Sequence, residues 1–321
     1  MRGRLRKPGL PAGPSDGFGP TLPPTERLCH DGPNMPPDMP AHAETPQVLL
    51  VECADRPGLV HGITGVLFRH GVNVVGNHEF VDRSTRRFFM RTEFDGEVDA
   101  PGLLAEVRER LPADATVQLS RLEPKRVVVL VSREHHCLGD ILIRHAFGEL
   151  NARVLAVVSN HPTLEPLVRR FDLPFHHLEA AGRSREAHEA EVLAVLDRYQ
   201  PEYLVLAKYM RILSPAFVAR YPRRIINIHH SFLPAFVGAR PYHQAFERGV
   251  KIIGATAHFV TEALDEGPII AQQVLPVDHT HTAEDLQRAG RDIEQLVLAR
   301  ALKLVFEDRV FLCGRRTVIF D

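Results

Sequence analysis

The chain has 321 residues and a formal net charge of -1, with 39 lysines and arginines against 40 aspartates and glutamates. This length predicts about two domains, and the balanced charge gives no reason to expect a nucleic acid or a membrane surface as partner. No apolar run approaches the ~20 residues of a membrane span. The four cysteines are far apart in the sequence, which excludes a disulfide scaffold and indicates the reducing cytoplasm.

Residues 1–46 contain 11 of the 25 prolines and six glycines, with almost no periodic apolar pattern. Such a segment buries too little surface to offset its ordering entropy, so we expect a disordered extension. It lacks the apolar core of a secretory signal, and its prolines prevent the amphipathic helix of a mitochondrial presequence. Translation that starts at Met35 or Met39 would remove most of it.

Residues 47–122 predict a small α+β domain. A β-rich run at 47–53 leads through a Pro-Gly turn to a helix at 59–71 whose apolar residues recur at helical spacing. Two strands joined by a turn, a helix at 101–111 and a strand at 115–122 follow. The order is βαββαβ, which is a ferredoxin-like pattern.

The residues DRPGL at 55–59 and GVNV at 71–74 resemble an ACT domain, a small-molecule-sensing module of metabolic enzymes. The resemblance implies a regulatory amino-acid site with Asp55, Gly58 and Asn73 as candidate residues. Gly58 would open backbone N–H groups to a ligand carboxylate beside a helix N-terminus. Glycine and methionine are the candidate effectors. The alternative is a module that only mediates oligomerisation, and either function implies a homodimer or homotetramer.

Residues 126–321 predict a second, α/β domain, because apolar strands alternate with amphipathic helices. This rhythm is typical of a doubly wound, mostly parallel sheet, here with a mixed edge, whose ligand site lies at the carboxyl ends of the strands. The predicted strands are 126–132, 152–160, 173–178, 202–207, 223–229, 251–260, 267–277 and 316–320, and the predicted helices are 136–150, 164–172, 184–199, 241–249 and 282–307.

Two polar residues end one of these strands. Asn227 and His229 are two residues apart, so they share a face of the strand, whereas Ile226 and Ile228 point the opposite way. A lone asparagine or histidine would more often be a satisfied core group, but a pair at a strand's carboxyl end indicates a site. Asp265 follows the next strand, so the three side chains are expected to converge, although a lone loop aspartate is more often a turn residue.

The block from 227 to 272 resembles the formyltetrahydrofolate-dependent formyltransferase fold, which is Rossmann-like, and within it the formyltetrahydrofolate deformylases. The segment AKYMRILS at 207–214 and the tail at 296–310 support the resemblance, which covers residues 47–321. It implies a catalytic trio of Asn227, His229 and Asp265. It also implies a pterin slot, for which ordinary packing is the alternative interpretation, lined by Met210, Arg211, Ile212, Leu213, His258, Phe259, Val260 and Thr261.

The implied reaction is hydrolysis of 10-formyltetrahydrofolate to formate and tetrahydrofolate. Asn227 and protonated His229 would donate hydrogen bonds to the oxyanion of the tetrahedral intermediate. Asp265 would orient and deprotonate the attacking water and would hold His229 charged. The products would supply formate for purine synthesis and balance the one-carbon folate pool. The chemistry requires no metal and no cofactor besides the folate substrate.

Three alternatives come from different classes of protein. A transferase to an amine acceptor, of the glycinamide ribonucleotide type, would need a glycine-rich phosphate cradle, whereas residues 132–140 read SREHHCLGD with one late glycine. A metal enzyme is suggested by the 18 histidines, but no HExxH motif is present. A non-catalytic sensor would rest on the ACT-like module alone.

Overall fold

The computed structural model describes residues 46–234 and 241–321 of the chain. The predicted disordered extension at 1–46 therefore lies outside the described residues, except for Pro46. The carbonyl oxygen of Pro46 accepts a hydrogen bond from the backbone N–H of Leu122 at 3.0 Å. This bond joins the start of the described chain to the residue that ends the predicted first domain.

The N-terminal region has the predicted ferredoxin-like order, which is thereby confirmed. Its four-stranded antiparallel sheet has the order β2-β3-β1-β4, and its helices pack with the sheet around apolar residues such as Leu49, Ile63 and Leu103. The elements are β1 (Gln47–Ala54), α1 (Leu59–Arg69), β2 (Asn73–Asp82), β3 (Arg87–Asp95), α2 (Ala100–Glu109) and β4 (Thr116–Arg121).

The C-terminal region is the predicted α/β domain with a mostly parallel sheet, and this fold class is also confirmed. Seven strands have the order β11-β10-β9-β8-β5-β6-β7, and only β10 and β11 at one edge are antiparallel to their neighbours. The strands are β5 (Lys125–Val131), β6 (Ala152–Ser159), β7 (Phe175–His177), β8 (Tyr203–Leu206), β9 (Ile225–His229), β10 (Ile252–Phe259) and β11 (Ile269–Pro276).

The helices of this region follow the prediction with one omission, α6. The short helix α6 was missed because six residues are too few to show an apolar period; Ser214 starts it by accepting a hydrogen bond from the N–H of Phe217. The helices are α3 (His136–Ala146), α4 (Glu165–Arg169), α5 (Arg185–Tyr199), α6 (Pro215–Arg220), α7 (Pro241–Glu247) and α8 (Ala283–Phe306).

A C-terminal hairpin and the end of α8 contact the N-terminal region. Strand β12 (Val310–Cys313), which the sequence did not reveal, pairs with β13 (Arg316–Ile319). Arg91 of β3 is 1% exposed and donates to the carbonyl oxygens of Glu307 and Asp308, where α8 ends. A cationic group at a helix C-terminus is electrostatically favourable, so this contact stabilises the junction.

In the part of the chain that the structure describes, no helix is both long enough and apolar enough to cross a membrane. The predicted cytoplasmic location stays a prediction.

Candidate functional site

A cavity of about 280 Å³ opens at the carboxyl ends of β8 and β9, beside the antiparallel strand β10. Asn227, His229 and Asp265 all line it. The two strand residues and the loop aspartate, which the sequence predicted to converge, therefore share one cavity.

The register of β9 determines where Asn227 and His229 lie. Asn227 is opposite Leu206 of β8 and opposite His258 of β10, and His229 is opposite Thr256. The intervening Ile228 is buried in the apolar core. Alternation along the strand thus separates the two polar side chains from the core and directs them to the cavity.

His258 holds the side chain of Asn227. Its Nδ1 lies 2.9 Å from the carbonyl oxygen of Phe259, which only accepts, so Nδ1 carries the proton. Burial lowers the pKa of His258, which keeps the ring neutral and leaves Nε2 as an acceptor. The Asn227 amide donates to this Nε2 at 3.2 Å. One of its two N–H bonds is thereby used, and the other has no acceptor among the described residues.

Asp265 lies next to His229, with 3.3 Å between its Oδ1 and the histidine Nδ1. The hydrogen bond from His229 holds the pKa of Asp265 below its usual range, although burial opposes this effect. The other ring nitrogen, Nε2 of His229, is buried and has no hydrogen-bond partner among the described residues. The pair therefore combines an ionised carboxylate with an unused ring nitrogen at the cavity.

The loop that carries Asp265 has a backbone conformation that few residue types adopt. Asp265 has a φ of 57°, a left-handed conformation that aspartate adopts more readily than most residues. At Gly267 a Cβ atom would collide with the carbonyl oxygen of Phe259, the oxygen that fixes His258. Only glycine permits this close approach, and the sequence pattern did not reveal this role of Gly267.

Exposed apolar side chains surround the cavity. Met210 and Ile212 are each 59% exposed, and Leu264 is 55% exposed. Exposed apolar side chains clustered around a cavity are typical of a ligand site. Of the residues predicted for the pterin slot, seven line the cavity, namely Met210, Arg211, Ile212, Leu213, His258, Val260 and Thr261.

Phe259 is the exception among the predicted slot residues. Its side chain is buried in the core, and the residue does not line this cavity. Neighbouring residues of a strand face opposite sides, so His258 and Phe259 cannot both point into the cavity. The prediction took residues 258–261 as one block and ignored this alternation.

The predicted regulatory residues lie in the N-terminal region. Asp55, Gly58 and Asn73 are all exposed. Gly58 precedes α1 with a φ of 87°, and no atom lies within 4 Å of where its Cβ would be. The backbone next to the N-terminus of α1 is therefore accessible, as the glycine argument requires.

A second polar cluster beside the cavity was missed by the sequence analysis. Glu294 of α8 is 1% exposed, and its carboxylate lies 2.7 Å from His136 Nε2, 2.7 Å from the Tyr242 hydroxyl and 3.1 Å from Lys208 Nζ. We call these four residues the Glu294 cluster. Burial would raise the pKa of Glu294, but His136, Lys208 and Tyr242 together hold it at about 2. The available signal was a glutamate within the apolar face of α8.

The Glu294 cluster also includes possible metal ligands. Within the described residues, His136, Cys137 and Glu294 form a group whose ligand atoms are close enough to share an ion. The Glu294 carboxylate, however, is already bonded to the His136 ring, to the Tyr242 hydroxyl and to a lysine ammonium. These bonds account for its charge without a metal, so the expectation of a metal-free enzyme stays a prediction.

Both regions of the chain match known protein families. A formyl transferase family model matches residues 125–302, and an ACT domain model matches residues 47–111. The formyltetrahydrofolate deformylase of Escherichia coli strain K12 is 54% identical over 278 residues, which are 87% of this chain and 99% of the relative.

Solved structures agree with this similarity. A formyltetrahydrofolate deformylase from Pseudomonas syringae pv. tomato superimposes with a TM-score of 0.83 at 39% identity, covering 88% of this chain and 96% of that one. Glycinamide ribonucleotide transformylase 1 from Symbiobacterium toebii gives a TM-score of 0.59 at 36% identity, covering 65% of this chain and all of the other. The same catalytic fold thus occurs in a deformylase and in a transferase.

Proposed function

The chain belongs to the formyltetrahydrofolate deformylase family, and we propose that it hydrolyses 10-formyltetrahydrofolate with Asn227, His229 and Asp265 as its catalytic residues. The observation that carries the proposal is the convergence of these side chains on one cavity, with an ionised carboxylate next to a histidine whose second nitrogen is unused. Hydrolysis of an amide needs a base for water and donors for an oxyanion.

Each member of the trio has a distinct role. Asp265 accepts a proton from water as the water oxygen attacks the formyl carbon. His229 donates from Nε2, and Asn227 donates from its free amide N–H, to the developing oxyanion. When the bond between the formyl carbon and N10 breaks, N10 takes up the proton that Asp265 accepted from water. Tetrahydrofolate leaves, and formic acid leaves as formate after giving its acidic proton to solvent.

The apolar surroundings of the cavity suit the pterin ring of a folate. We propose that Met210, Ile212 and Leu213 contact the ring, while backbone groups near Val260 and Thr261 bond its polar edge. The exposed apolar surface at Met210 and Ile212 supports this role, since burying it against a flat ring is favourable.

Acceptor-free turnover is the decisive test of the proposed function. The purified chain is incubated with 10-formyltetrahydrofolate, and formate is measured without any added amine. Formate equal to the folate consumed is the expected result. Formate that appears only after an amine acceptor is added would support instead the transferase reading, of the glycinamide ribonucleotide type. The same assay in the presence of a chelator tests the proposed independence from a metal ion, which loss of activity would overturn. Turnover by the purified chain with no added cofactor tests the proposed independence from a cofactor.

We propose that the N-terminal region regulates the catalytic region, with residues 47–122 and 126–321 as the two domains. The accessible N-terminus of α1, near Asp55, Gly58 and Asn73, is the proposed amino-acid site. Glycine and methionine are the candidate effectors. A change in the rate of formate release on adding either one, which Gly58→Val abolishes, is the expected result; an unchanged rate with both contradicts the proposal for these effectors.

A second copy of the chain is the proposed partner. Strand β2 is an edge of its sheet, and Val74, Val75 and Phe80 on it are exposed. An open edge with apolar side chains favours pairing with another chain. Light scattering should therefore give a dimer or tetramer. In the cell the products would supply formate for purine synthesis and balance the folate pool.

A further inference from the structure

The Glu294 cluster lies beside the catalytic cavity, and the proposed reaction does not use it. Lys208 is a member of the Glu294 cluster that also lines the cavity of Asn227. It lines in addition a second cavity of about 490 Å³. This second cavity is lined by His136, Tyr242 and Glu294 of the cluster and by Arg291. Lys208 thus lies where the two cavities adjoin.

The backbone of Lys208 is unusual for a lysine. The residue comes shortly after β8 and has a φ of 64°, the left-handed region that glycine adopts without cost. For other residues this conformation costs roughly 1–2 kcal/mol. Its side chain is only 8% exposed. A strained position that could be glycine therefore carries a long, buried and charged side chain.

The ammonium of Lys208 is held by Glu294, whose two carboxylate oxygens both accept hydrogen bonds. Glu294 Oε2 accepts from Lys208 and from His136, and Oε1 accepts from the hydroxyl of Tyr242. These donors come from α3, from α7 and from the segment after β8, so the carboxylate joins three separate parts of the fold. A lysine held in this way has little freedom to move aside.

We propose that Lys208, held by Glu294, is the residue that determines water rather than an amine as the formyl acceptor. This inference rests on the proposed function and adds the basis of its specificity. Lys208 lines both cavities, so its side chain occupies the junction that a bulky amine would have to cross to reach the formyl carbon. Water is small and neutral, so it still reaches Asp265.

The two reactions differ only in the nucleophile. In hydrolysis a water oxygen bonds to the formyl carbon, the bond to N10 breaks, and N10 takes the proton that the water gave to Asp265. In transfer an amine nitrogen forms the new bond, loses a proton, and leaves as a formamide while N10 is again protonated. Neither reaction needs an oxidant or a further reactant, so access of the nucleophile decides between them.

The test is Lys208→Gly, because glycine accepts the φ of this position and removes the side chain. Wild type and variant react with 10-formyltetrahydrofolate in the presence of glycinamide as the amine probe, and N-formylglycinamide and formate are both quantified. Wild type should give formate almost alone. The variant should raise the ratio of formamide to formate at least tenfold.

The matched control is Arg211→Ala. Arg211 is a nearby cation that lines the catalytic cavity but not the second cavity. Its ratio of products should stay at the wild-type value, even if its KM for the folate changes. A ratio that rises equally in Arg211→Ala would overturn the specific role of Lys208.

Lys208→Gly leaves the buried Glu294 without its ammonium, so the double variant Lys208→Gly, Glu294→Gln is made in parallel. An unchanged ratio in either folded variant overturns the proposal. Loss of the folded state in both variants overturns it as well, because the cluster would then serve folding rather than specificity. Failure of the proposed function is a separate outcome, in which wild type releases no formate without an amine.

Discussion

Two clusters of buried polar side chains lie next to each other in the C-terminal region, and they differ in how fully the carboxylate of each cluster is bonded. In the cavity of Asn227, Nε2 of His229 has no hydrogen-bond partner and one amide N–H of Asn227 has no acceptor, in both cases among the described residues. In the Glu294 cluster, both carboxylate oxygens are bonded, although Nδ1 of His136 also has no hydrogen-bond partner among the described residues. Polar atoms without partners beside an incompletely bonded carboxylate indicate a reacting site, whereas a carboxylate bonded at both oxygens indicates support.

Both places use a left-handed non-glycine residue after a strand, Asp265 in one and Lys208 in the other. Strain of this kind persists only where the surrounding structure fixes it, and it is frequent at functional sites. In one case the strained residue places a carboxylate at the cavity, and in the other it places a cation beside a buried carboxylate. Asp265 thus has a proposed role in the chemistry, whereas Lys208 has a proposed role in which nucleophile reaches the formyl carbon.

The largest expected effect is on turnover, from Asp265→Asn. The amide cannot accept a proton from water, so formate release should fall about 10²–10⁴-fold. Asparagine tolerates a φ of 57° as well as aspartate does, so the free energy of unfolding should change by less than about 1 kcal/mol. Stopped assays of formate and urea unfolding at pH 7 measure the two quantities. A variant with near-normal turnover would remove Asp265 from the mechanism.

The opposite pattern is expected for Glu294→Gln in the Glu294 cluster. The variant leaves the ammonium of Lys208 buried without a counter-charge, and breaking a buried pair costs about 3–5 kcal/mol. Urea unfolding at pH 7 should show this loss, with Asp265→Asn as the matched carboxylate-to-amide control. If both variants lose equal stability, the distinction between a reacting and a supporting cluster does not hold.

A smaller effect is expected from Gly290→Ala, which disturbs the Glu294 cluster without changing its charges. Within a helix, alanine is ordinarily better than glycine by roughly 1 kcal/mol. At Gly290 of α8, however, an added Cβ would collide with the ring and hydroxyl of Tyr242, which donates to Glu294. Overpacking of this kind costs about 1–3 kcal/mol.

The control for that change is Gly139→Ala in α3, where no atom lies within 4 Å of the added Cβ. It should leave stability unchanged or raise it by up to about 1 kcal/mol. Thermal unfolding of the two variants measures the difference. Equal midpoints would mean that Tyr242 moves aside freely and that the cluster is less rigid than its bonds indicate.

Sequence patterns predicted those features that follow from a short repeat of polar and apolar residues along the chain. Alternation along a strand predicted that Asn227 and His229 share a face, and repeated strand–helix units predicted the parallel sheet. The Glu294 cluster was not predictable, because His136, Lys208 and Glu294 come from distant parts of the chain and meet only through packing. The φ of Lys208 and the close approach at Gly267 likewise depend on tertiary contacts, which no local pattern records.

The smallest expected effect concerns His230, which lines both cavities. Burial, together with the charge of Lys208, lowers its pKa to about 3. The unfolded chain takes up a proton near the usual value of about 6.5, whereas the folded chain does not, so stability falls as pH falls from 6.5 toward 3. Between pH 7.5 and pH 6 this one group should cost about 0.8 kcal/mol.

His230→Gln isolates that contribution, because it removes the titrating group while His258, whose pKa burial also lowers, continues to act in the same direction. The unfolding free energy of the variant should therefore decline less steeply with falling pH than that of wild type. Parallel curves would mean that His230 is protonated in the folded chain at pH 6. The His230 ring would then be a second cation beside Lys208. The two positive charges, rather than the position of the Lys208 side chain, would then limit what passes between the two cavities.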